Sequence, residues 1–422
     1  MSDLAAGVFQ YNWSDDELEK LKEKAIRVTG KSAVDFYKNG PILPNWTLGY
    51  QLGLDMVKIA YGTLVPDTPV TLENFDLEAY IAKCKPFRDS VANISGSGGN
   101  FRKHSWPIRP SELLADVEVA LFSELVASDE SLGTPRTLIA EITASDSLAE
   151  HEASKNSNDV FDLKPMSDNE VVLVHYHGGA YLRGSPSIYR NFFVKLSKKT
   201  NSRVIAPSYR LAPDTVYPAQ IYDGLMFYLY LLKQGFNHKN IVMMGDSAGG
   251  NLVLCILQLL KQVGMDQPKG AILYSPWVDL SHTNEFNVAN AAYDFVSLPN
   301  INSVLNSTRL YIMPGKPLTD EFRTRLSDPL ISPTFGSYDG IAPLYIQSGE
   351  SEVLLDDIDR FAVKIGAEKT TIKGRDHPGF STDNKNIYEM YVGMVHIFFF
   401  FNEADETFSA IDGVANFLNR LG

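Results

Sequence analysis

Between the apolar runs "IVMM" and "LVLCILQLLKQV" the chain reads Gly245-Asp246-Ser247-Ala248-Gly249-Gly250. A serine on a tight joint between a buried strand and a buried helix is placed for nucleophilic chemistry. Such a turn holds Ser247 in a strained backbone conformation, so bulky residues two positions to either side would clash, and Gly245 and Gly249 relieve this. The Ser247 hydroxyl then projects from the end of the strand, and the following helix turns its positive N-terminal end toward any developing oxyanion. The competing reading is an ordinary glycine-rich turn; a strand before and a helix after weigh against it.

Nucleophilic attack on a carbonyl needs donors for the oxyanion, and "VVLVHYHGGAYLRGS" supplies a candidate in His177-Gly178-Gly179-Ala180. After a buried strand, small residues let backbone N–H groups face a substrate unobstructed; a glycine turn closed by a satisfied histidine would look the same. A serine also needs a base. "KGRDHPGFSTDNKNIYEMYVGMVHIF" offers both His377 and His396. The eight histidines include no H-E-x-x-H or comparable ligand spacing, so neither a metal nor a cofactor is expected.

These residues must be positioned by a sheet. Short apolar runs rich in β-branched and aromatic residues ("VVLVHYH", "SRVIAPSY", "IVMMG", "GAILYSPW", "PLYIQSG", "EMYVGMVHIF") alternate with helical patterns, which predicts an α/β fold with a mainly parallel sheet flanked by helices. "PRTLIAEITASD" reads as a further strand and "SLAEHEASKNSNDVFDLKPMSDNE" as a surface loop. Residues 1 to about 110 read as helices and loops, opening with "SDDELEKLKEKAIRVTG", which has an N-cap serine and an ending glycine. About sixty residues separate "SPWVDLS" from "PLYIQSG", too many for a simple crossover. Extra helices above the sheet are expected there.

Composition narrows the partners. The 422 residues are 44% hydrophobic and 21% charged, as in ordinary globular proteins. A net charge of -13 repels nucleic acid and anionic membranes and favours an uncharged or cationic substrate. Only Cys84 and Cys255 are present, which excludes a disulfide framework and points to a reducing compartment. The start of the chain lacks the features of a signal peptide, so a cytoplasmic location is expected. "WTLGYQLGLDMVKIAYGTLV" carries Asp55 and Lys58 within it and reads as an amphipathic helix rather than a membrane span, leaving peripheral membrane contact through the N-terminal region open.

Six motifs occur in order: "HGGA" at 177 to 180, "YRLAPDTVYPA" at 209 to 219, "GDSAGGNL" at 245 to 252, "SPWVDLS" at 275 to 281, "DPLISP" at 328 to 333 and "GMVHIF" at 393 to 398. With them the chain, from about residue 136 onward, resembles the hormone-sensitive-lipase-like branch of the α/β-hydrolases, whose members include bacterial carboxylesterases and arylacetamide deacetylase. The long N-terminal region is shared in general form with fungal steryl acetyl hydrolases. The family's acid follows a strand as G-x-x-D-x-L. Here Glu352 takes the aspartate's place, three residues after Gly349, and glutamate orients an imidazolium as aspartate does. Glu350, Asp356 and Asp357 are neighbouring carboxylates that a solvated loop and helix start would explain.

The resemblance implies an esterase with Ser247 as nucleophile, His396 as base and Glu352 as the acid that fixes the imidazole. The oxyanion hole falls on Gly178, Gly179, Ala180 and Ala248: the N–H groups of Gly179, Ala180 and Ala248 donate, and Gly178 lets the loop turn. His177, Gly245, Asp246 and Gly249 support the site, and Tyr209 and Arg210 brace the elbow. His396 is preferred because "YEMYV" has the character of the last core strand, although His377 lies 25 residues after Glu352 and His396 lies 44. His377 is then an exposed residue of a surface insertion. The expected organisation is an N-terminal helical cap region over 1–115 and a catalytic domain over 116–422 with a cap insertion at about 282–325. Aromatic residues such as Tyr293, Phe295 and Tyr311 suggest a closed apolar pocket and hence short-acyl, acetyl-type esters of hydrophobic alcohols. A non-catalytic ligand-binding protein on the same fold and an arylamide deacetylase are the alternatives. Oligomeric state is not legible in the sequence.

Overall fold

A computed structural model describes residues 14–62, 69–92, 100–115, 117, 119–154, 159–282, 286–297, 300–401 and 404–422. Its strands are β1 (Asn100–Ile108), β2 (Arg136–Ala144), β3 (Val172–Tyr176), β4 (Val204–Ser208), β5 (Ile241–Asp246), β6 (Gly270–Tyr274), β7 (Leu344–Gly349), β8 (Glu368–Ile372) and β9 (Ile387–Tyr391). They form one sheet in the order β1-β2-β4-β3-β5-β6-β7-β9-β8. The pairs β1–β2 and β2–β4 are antiparallel, and every other pair is parallel.

The alternation of apolar runs and helices thus produces the expected α/β sheet. Every residue of β3, β5, β6 and β7 is buried, because helices cover both faces, and this is why those strands read as mostly apolar runs, with the polar His175, Asp246, Gln347 and Ser348 toward their C-terminal ends. Two strands escaped the sequence reading. Asn100–Ile108 is not loop or helix but an edge strand, and "EKTTI" is the opposite edge; both are largely solvent-exposed and carry polar side chains instead of an apolar run. The first helix, Asp15–Asn39, opens as expected on a Ser14 and Glu17 capping box, but it runs through Gly30 and stops at Gly40. A lone glycine inside a helix weakens it without ending it. Likewise Asp146–Ser154 is helical where a loop was expected, anchored by the buried Leu148 and capped by the Ser145 hydroxyl on the Leu148 N–H.

Helix Ala248–Gln262 leaves the end of β5 and packs on β5 and β3 and against helix Ala219–Lys233. Cys255, in its middle, is buried as a core residue, and burial pushes its thiol well above the usual range. Helix Leu48–Gly62 turns Tyr50, Leu54 and Val57 into a core shared with Met394, Val395 and Phe401. Among the described residues no helix is long and apolar enough to cross a membrane. Between β6 and β7 the expected extra helices are present as Ser307–Ile312 and Asp320–Arg325, each opened by a side-chain cap, Asn306 and Thr319 respectively.

Candidate active site

Ser247 sits between β5 and helix Ala248–Gln262 with φ 52° and ψ −118°, a conformation an L-residue adopts only under constraint. The constraint is backbone pairing: Ser247 N–H donates to the Tyr274 carbonyl at the end of β6, and Trp277 N–H donates to the Ser247 carbonyl, both at 2.9 Å. A Cβ on Gly245 would strike the Gly249 carbonyl, and one on Gly249 would strike the carbonyl of Tyr176 at the end of β3. Both glycines are therefore required by close approach. Ser247 is only half-buried although Gly245, Asp246, Ala248 and Gly249 around it are buried, so it is the residue of this stretch that solvent reaches.

The loop after β3 is built to free its amides. Gly179, Ala180 and Tyr181 all have positive φ, at 111°, 57° and 61°. Gly179 and Ala180 are half-exposed and their N–H groups have no acceptor among the described residues, while Ala248 is the first residue of its helix, where an N–H lacks an intrahelical partner. Gly178 differs. Its N–H donates to Asp246 Oδ1 at 3.0 Å and lies 2.9 Å from the Tyr189 hydroxyl, so Gly178 is not an oxyanion donor and belongs with the residues that turn the loop. The buried Asp246, second residue of the elbow motif, thereby ties the loop after β3 to the elbow, its other oxygen accepting from Tyr189 at 3.0 Å.

His177 supports the same loop. Its ring stacks on Tyr209 at 4.3 Å, its Nδ1 lies 2.8 Å from the Gly178 carbonyl, and the Tyr209 hydroxyl donates to the His177 carbonyl at 2.6 Å. Burial pushes the His177 imidazole down to about 4, which keeps it neutral. Tyr209 thus braces the loop rather than the elbow itself. The Arg210 guanidinium pairs instead with Asp223 at 2.8 Å and Asp129 at 3.3 Å.

Glu352, three residues past the end of β7, and His396, on the loop after β9, are both buried and stand 3.7 Å apart at Oε2 and Nδ1. Glu352 Oε2 also accepts from Ser275 Oγ at 2.5 Å and from the Gly349 N–H at 3.2 Å. Burial opposes charge on His396, but the carboxylates of Glu352, Asp294 and Asp246 outweigh it and hold the imidazole above its ordinary value. The structure therefore brings Glu352 to His396. It does not bring His377, whose side chain is buried on another part of the sheet with Nε2 at 2.6 Å from Glu389 Oε1. His377 was expected to be exposed. A carboxylate on β9, unremarkable in sequence, draws it inward.

The profile of a family described as "alpha/beta hydrolase fold" matches residues 173–381. An esterase from Acinetobacter venetianus is 33% identical over 62% of this chain and 78% of its own length. An acetyl-hydrolase from Streptomyces hygroscopicus is 32% identical over 49% of this chain and 67% of its own. The chain belongs to the hormone-sensitive-lipase-like branch of the α/β-hydrolases. The solved structure of an esterase from the bacterial hormone-sensitive lipase family superposes on this hydrolase with a TM-score of 0.59 at 21% identity, covering 89% of this chain and 99% of the other, which is a likeness of fold.

Several residues of this α/β-hydrolase's site were not assigned from sequence. Asn251, two residues after Gly249 in "GDSAGGNL", accepts from the Tyr181 hydroxyl at 2.6 Å and donates to the carbonyls of Trp277 at 2.8 Å and Ile331 at 3.0 Å, fastening "SPW" and "DPLISP" to the elbow helix. Ser275, in "SPWVDLS", bridges the acid loop and the histidine loop, because its Oγ also accepts from the Ile397 N–H at 3.1 Å. Both lie inside the motifs "GDSAGGNL" and "SPWVDLS", which mark their positions but not their partners. Asp294 carried no signal. It comes from the insertion between β6 and β7, and desolvation raises its carboxyl to about 6. Of the aromatics expected to line a pocket, Phe295 lies 5.8 Å from the His396 ring and Tyr293 packs on Trp46, whereas Tyr311 is fully buried, stacked on Tyr181 at 4.0 Å.

Proposed function

We propose that this carboxylic ester hydrolase cleaves short-acyl, acetyl-type esters of hydrophobic alcohols through an acyl-enzyme on Ser247. The observation that carries the reading is the strained, half-exposed Ser247 at the start of its helix, with Asp246 beside it tying down the loop whose Gly179 and Ala180 amides are open. In this reading Ser247 Oγ attacks the ester carbonyl as His396 takes its proton. The carbonyl π electrons move onto the oxygen, where the N–H groups of Gly179, Ala180 and Ala248 hold the negative charge. Collapse of the tetrahedral species breaks the bond to the alkoxy oxygen, and His396 returns the proton to the departing alcohol. Water, deprotonated by the same imidazole, then attacks the acyl-serine and releases the carboxylic acid. Glu352 orients His396 and stabilises its charged form in both halves.

A short acyl group is supported by the ring of Phe295 beside His396 and that of Tyr61, 5.2 Å from Phe295, which bring bulky walls close to the base. The acetyl-hydrolase among the relatives points the same way. The reading treats 1–115 and about 282–325 as a cap on a catalytic domain over 116–422, with β1 contributed by the N-terminal region to the sheet. It places the enzyme in the cytoplasm. Peripheral membrane contact would use the exposed Ile26, Val34 and Tyr37 of the first helix.

A panel of chromogenic esters from acetate to long acyl chains, run with an acetylated sterol and with matched arylamides, tests this. Acetate to about hexanoate should turn over fastest. Faster cleavage of emulsified long-chain triglycerides, or of the amides, would reassign the substrate; failure of a fluorophosphonate to label Ser247 would leave only a ligand-binding protein on this fold.

A further inference from the structure

The loop that carries His396 is held from the far end of the chain. Asn45 Nδ2 donates to the Val392 carbonyl at 2.7 Å, the buried Trp46 Nε1–H donates to the Gly393 carbonyl at 2.7 Å, and the Val395 N–H donates to the Tyr50 hydroxyl at 3.3 Å. Asn45 also fills the space a Cβ on Gly393 would need, and Gly393 has a φ of 68°. Trp46 and Tyr50 pack on one another at 5.1 Å, and Tyr50 packs on Phe401 at 4.9 Å beyond the histidine. Thus three of the four residues immediately before His396 are gripped through their backbones by one short N-terminal segment. The catalytic domain's own grip on the same stretch includes the Val392 N–H on the Ile372 carbonyl at 2.9 Å, the Glu350 carboxylate on the Gly393 N–H at 2.9 Å, the Ser351 N–H on the Met394 carbonyl at 2.8 Å and a turn onto Tyr391.

The acid loop is held the same way by the insertion between β6 and β7. Asn290 Nδ2 donates to the carbonyls of Glu350 and Glu352, both at 2.9 Å, and Asp294 Oδ2 accepts from the Val353 N–H at 2.8 Å. Trp46 meets Tyr293 at 6.5 Å, so the two grips touch. Between them lies a Glu352–His396 pair whose 3.7 Å separation is nearly 1 Å longer than a hydrogen bond.

We infer that Asn45, Trp46 and Tyr50 are positioning residues for the base and Asn290 and Asp294 positioning residues for the acid, so that the seating of the N-terminal segment and the insertion sets whether Glu352 and His396 close into a hydrogen bond. This rests on the Ser247, His396 and Glu352 roles proposed above and gives the N-terminal region a part in turnover beyond walling a pocket. Displacing a catalytic group by about 1 Å costs on the order of 10²-fold in rate.

Trp46→Phe keeps an aromatic ring, smaller than indole, and removes the hydrogen bond to Gly393; Asn45→Ala removes the one to Val392, together with one to Glu406 Oε1 at 3.0 Å, from a half-buried position. Gln51→Leu is the matched control. Gln51 lies beside Tyr50 on helix Leu48–Gly62, which follows Asn45 and Trp46; it bonds Ser32 Oγ at 2.7 Å and accepts from the Ile42 N–H at 3.3 Å, with no bond to the histidine loop among the described residues. All three are assayed on a soluble acetate ester well below their melting temperatures. Trp46→Phe and Asn45→Ala should lower kcat about 10- to 100-fold with KM changed less than about two-fold, and Gln51→Leu should lower only the melting temperature. The acid limb of kcat/KM should also fall toward that of an ordinary histidine in the first two. The groups facing His396 are Glu352 on the acid loop, Asp294 on the insertion and Asp246 at the elbow, and Lys58 of helix Leu48–Gly62 faces Asp294 in turn. Loosening the loop takes the imidazole away from those carboxylates. Unchanged kcat and acid limb in Trp46→Phe, or an equal loss of kcat in Gln51→Leu, overturns the inference. A wild-type enzyme that fluorophosphonate does not label fails the functional reading instead, and the two failures are separable.

Discussion

Glu352 and His396 are brought face to face with the acid already engaged: Glu352 Oε2 takes the Ser275 hydroxyl at 2.5 Å while standing 3.7 Å from His396 Nδ1. Glu352 Oε1 and His396 Nδ1 are both buried without a hydrogen-bond partner among the described residues. An unpaired buried acceptor opposite an unpaired buried ring nitrogen is costly, and catalytic hydrogen bonds commonly tighten on substrate binding. The longer glutamate side chain reaches from a loop set by Gly349, Asn290 and Ser275 rather than from the strand itself.

The acid is tested by paired variants. Glu352→Gln removes the charge that stabilises the imidazolium and should lower kcat by about 10³- to 10⁴-fold with the fold intact. Glu350→Gln should do little, because an amide oxygen can still accept the Gly393 N–H that the Glu350 carboxylate now accepts at 2.9 Å. Steady-state rates with circular dichroism decide; a reversed pattern moves the acid to Glu350.

Replacing the nucleophile should separate activity from stability. Ser247→Ala should reduce kcat by up to about 10⁶-fold while stability shifts by less than about 1 kcal/mol. Ser247→Gly should be equally inactive yet more stable by about 1 kcal/mol, since it releases a non-glycine residue from a φ of 52°. Denaturant titration of the two variants checks this, and equal stability would mean the elbow stores no strain.

For the two histidines the expected defects are opposite in kind. His396→Ala should abolish turnover. His377→Ala should keep most of kcat but lose roughly 3 kcal/mol of stability, because it leaves the buried Glu389 carboxylate without its partner, although Tyr391 still donates to it at 2.7 Å. Full activity in the His396 variant would return the base to His377.

The pH profile follows from the sign of the His396 shift. General-base action needs the neutral imidazole, and its affinity for a proton is raised, so kcat/KM should fall as pH drops through a value above the ordinary histidine's. Asp294→Asn removes one of the negative charges that stabilise the imidazolium and should move that acid limb to lower pH. A limb that stays put in Asp294→Asn would show that Asp294, raised to about 6 by its own burial, is not charged when His396 titrates.

The sequence by itself determined the fold class and singled out Ser247 as the candidate nucleophile. Parallel strands covered on both faces are mostly apolar, so β3 to β7 announce themselves, and the steric demands of the elbow leave few residues other than glycine at 245 and 249. The acid and the base were legible only as positions relative to strands. His396 is preferred as the candidate base because β9 reads as a strand, whereas the exposed edges β1 and β8, lacking that apolar signature, do not read as strands. Tertiary structure alone decided which N–H groups are free. Gly178 and Gly179 are neighbours of one type, but the Asp246 carboxylate, 68 residues onward, takes the first and leaves the second. It alone also put Asp294 near His396 and Asn45, Trp46 and Tyr50 on its loop. Hydrogen bonds between segments some 345 residues apart leave no periodicity or spacing in the chain; each partner is an ordinary side chain until folding sets it opposite a backbone group that has no other partner among the described residues.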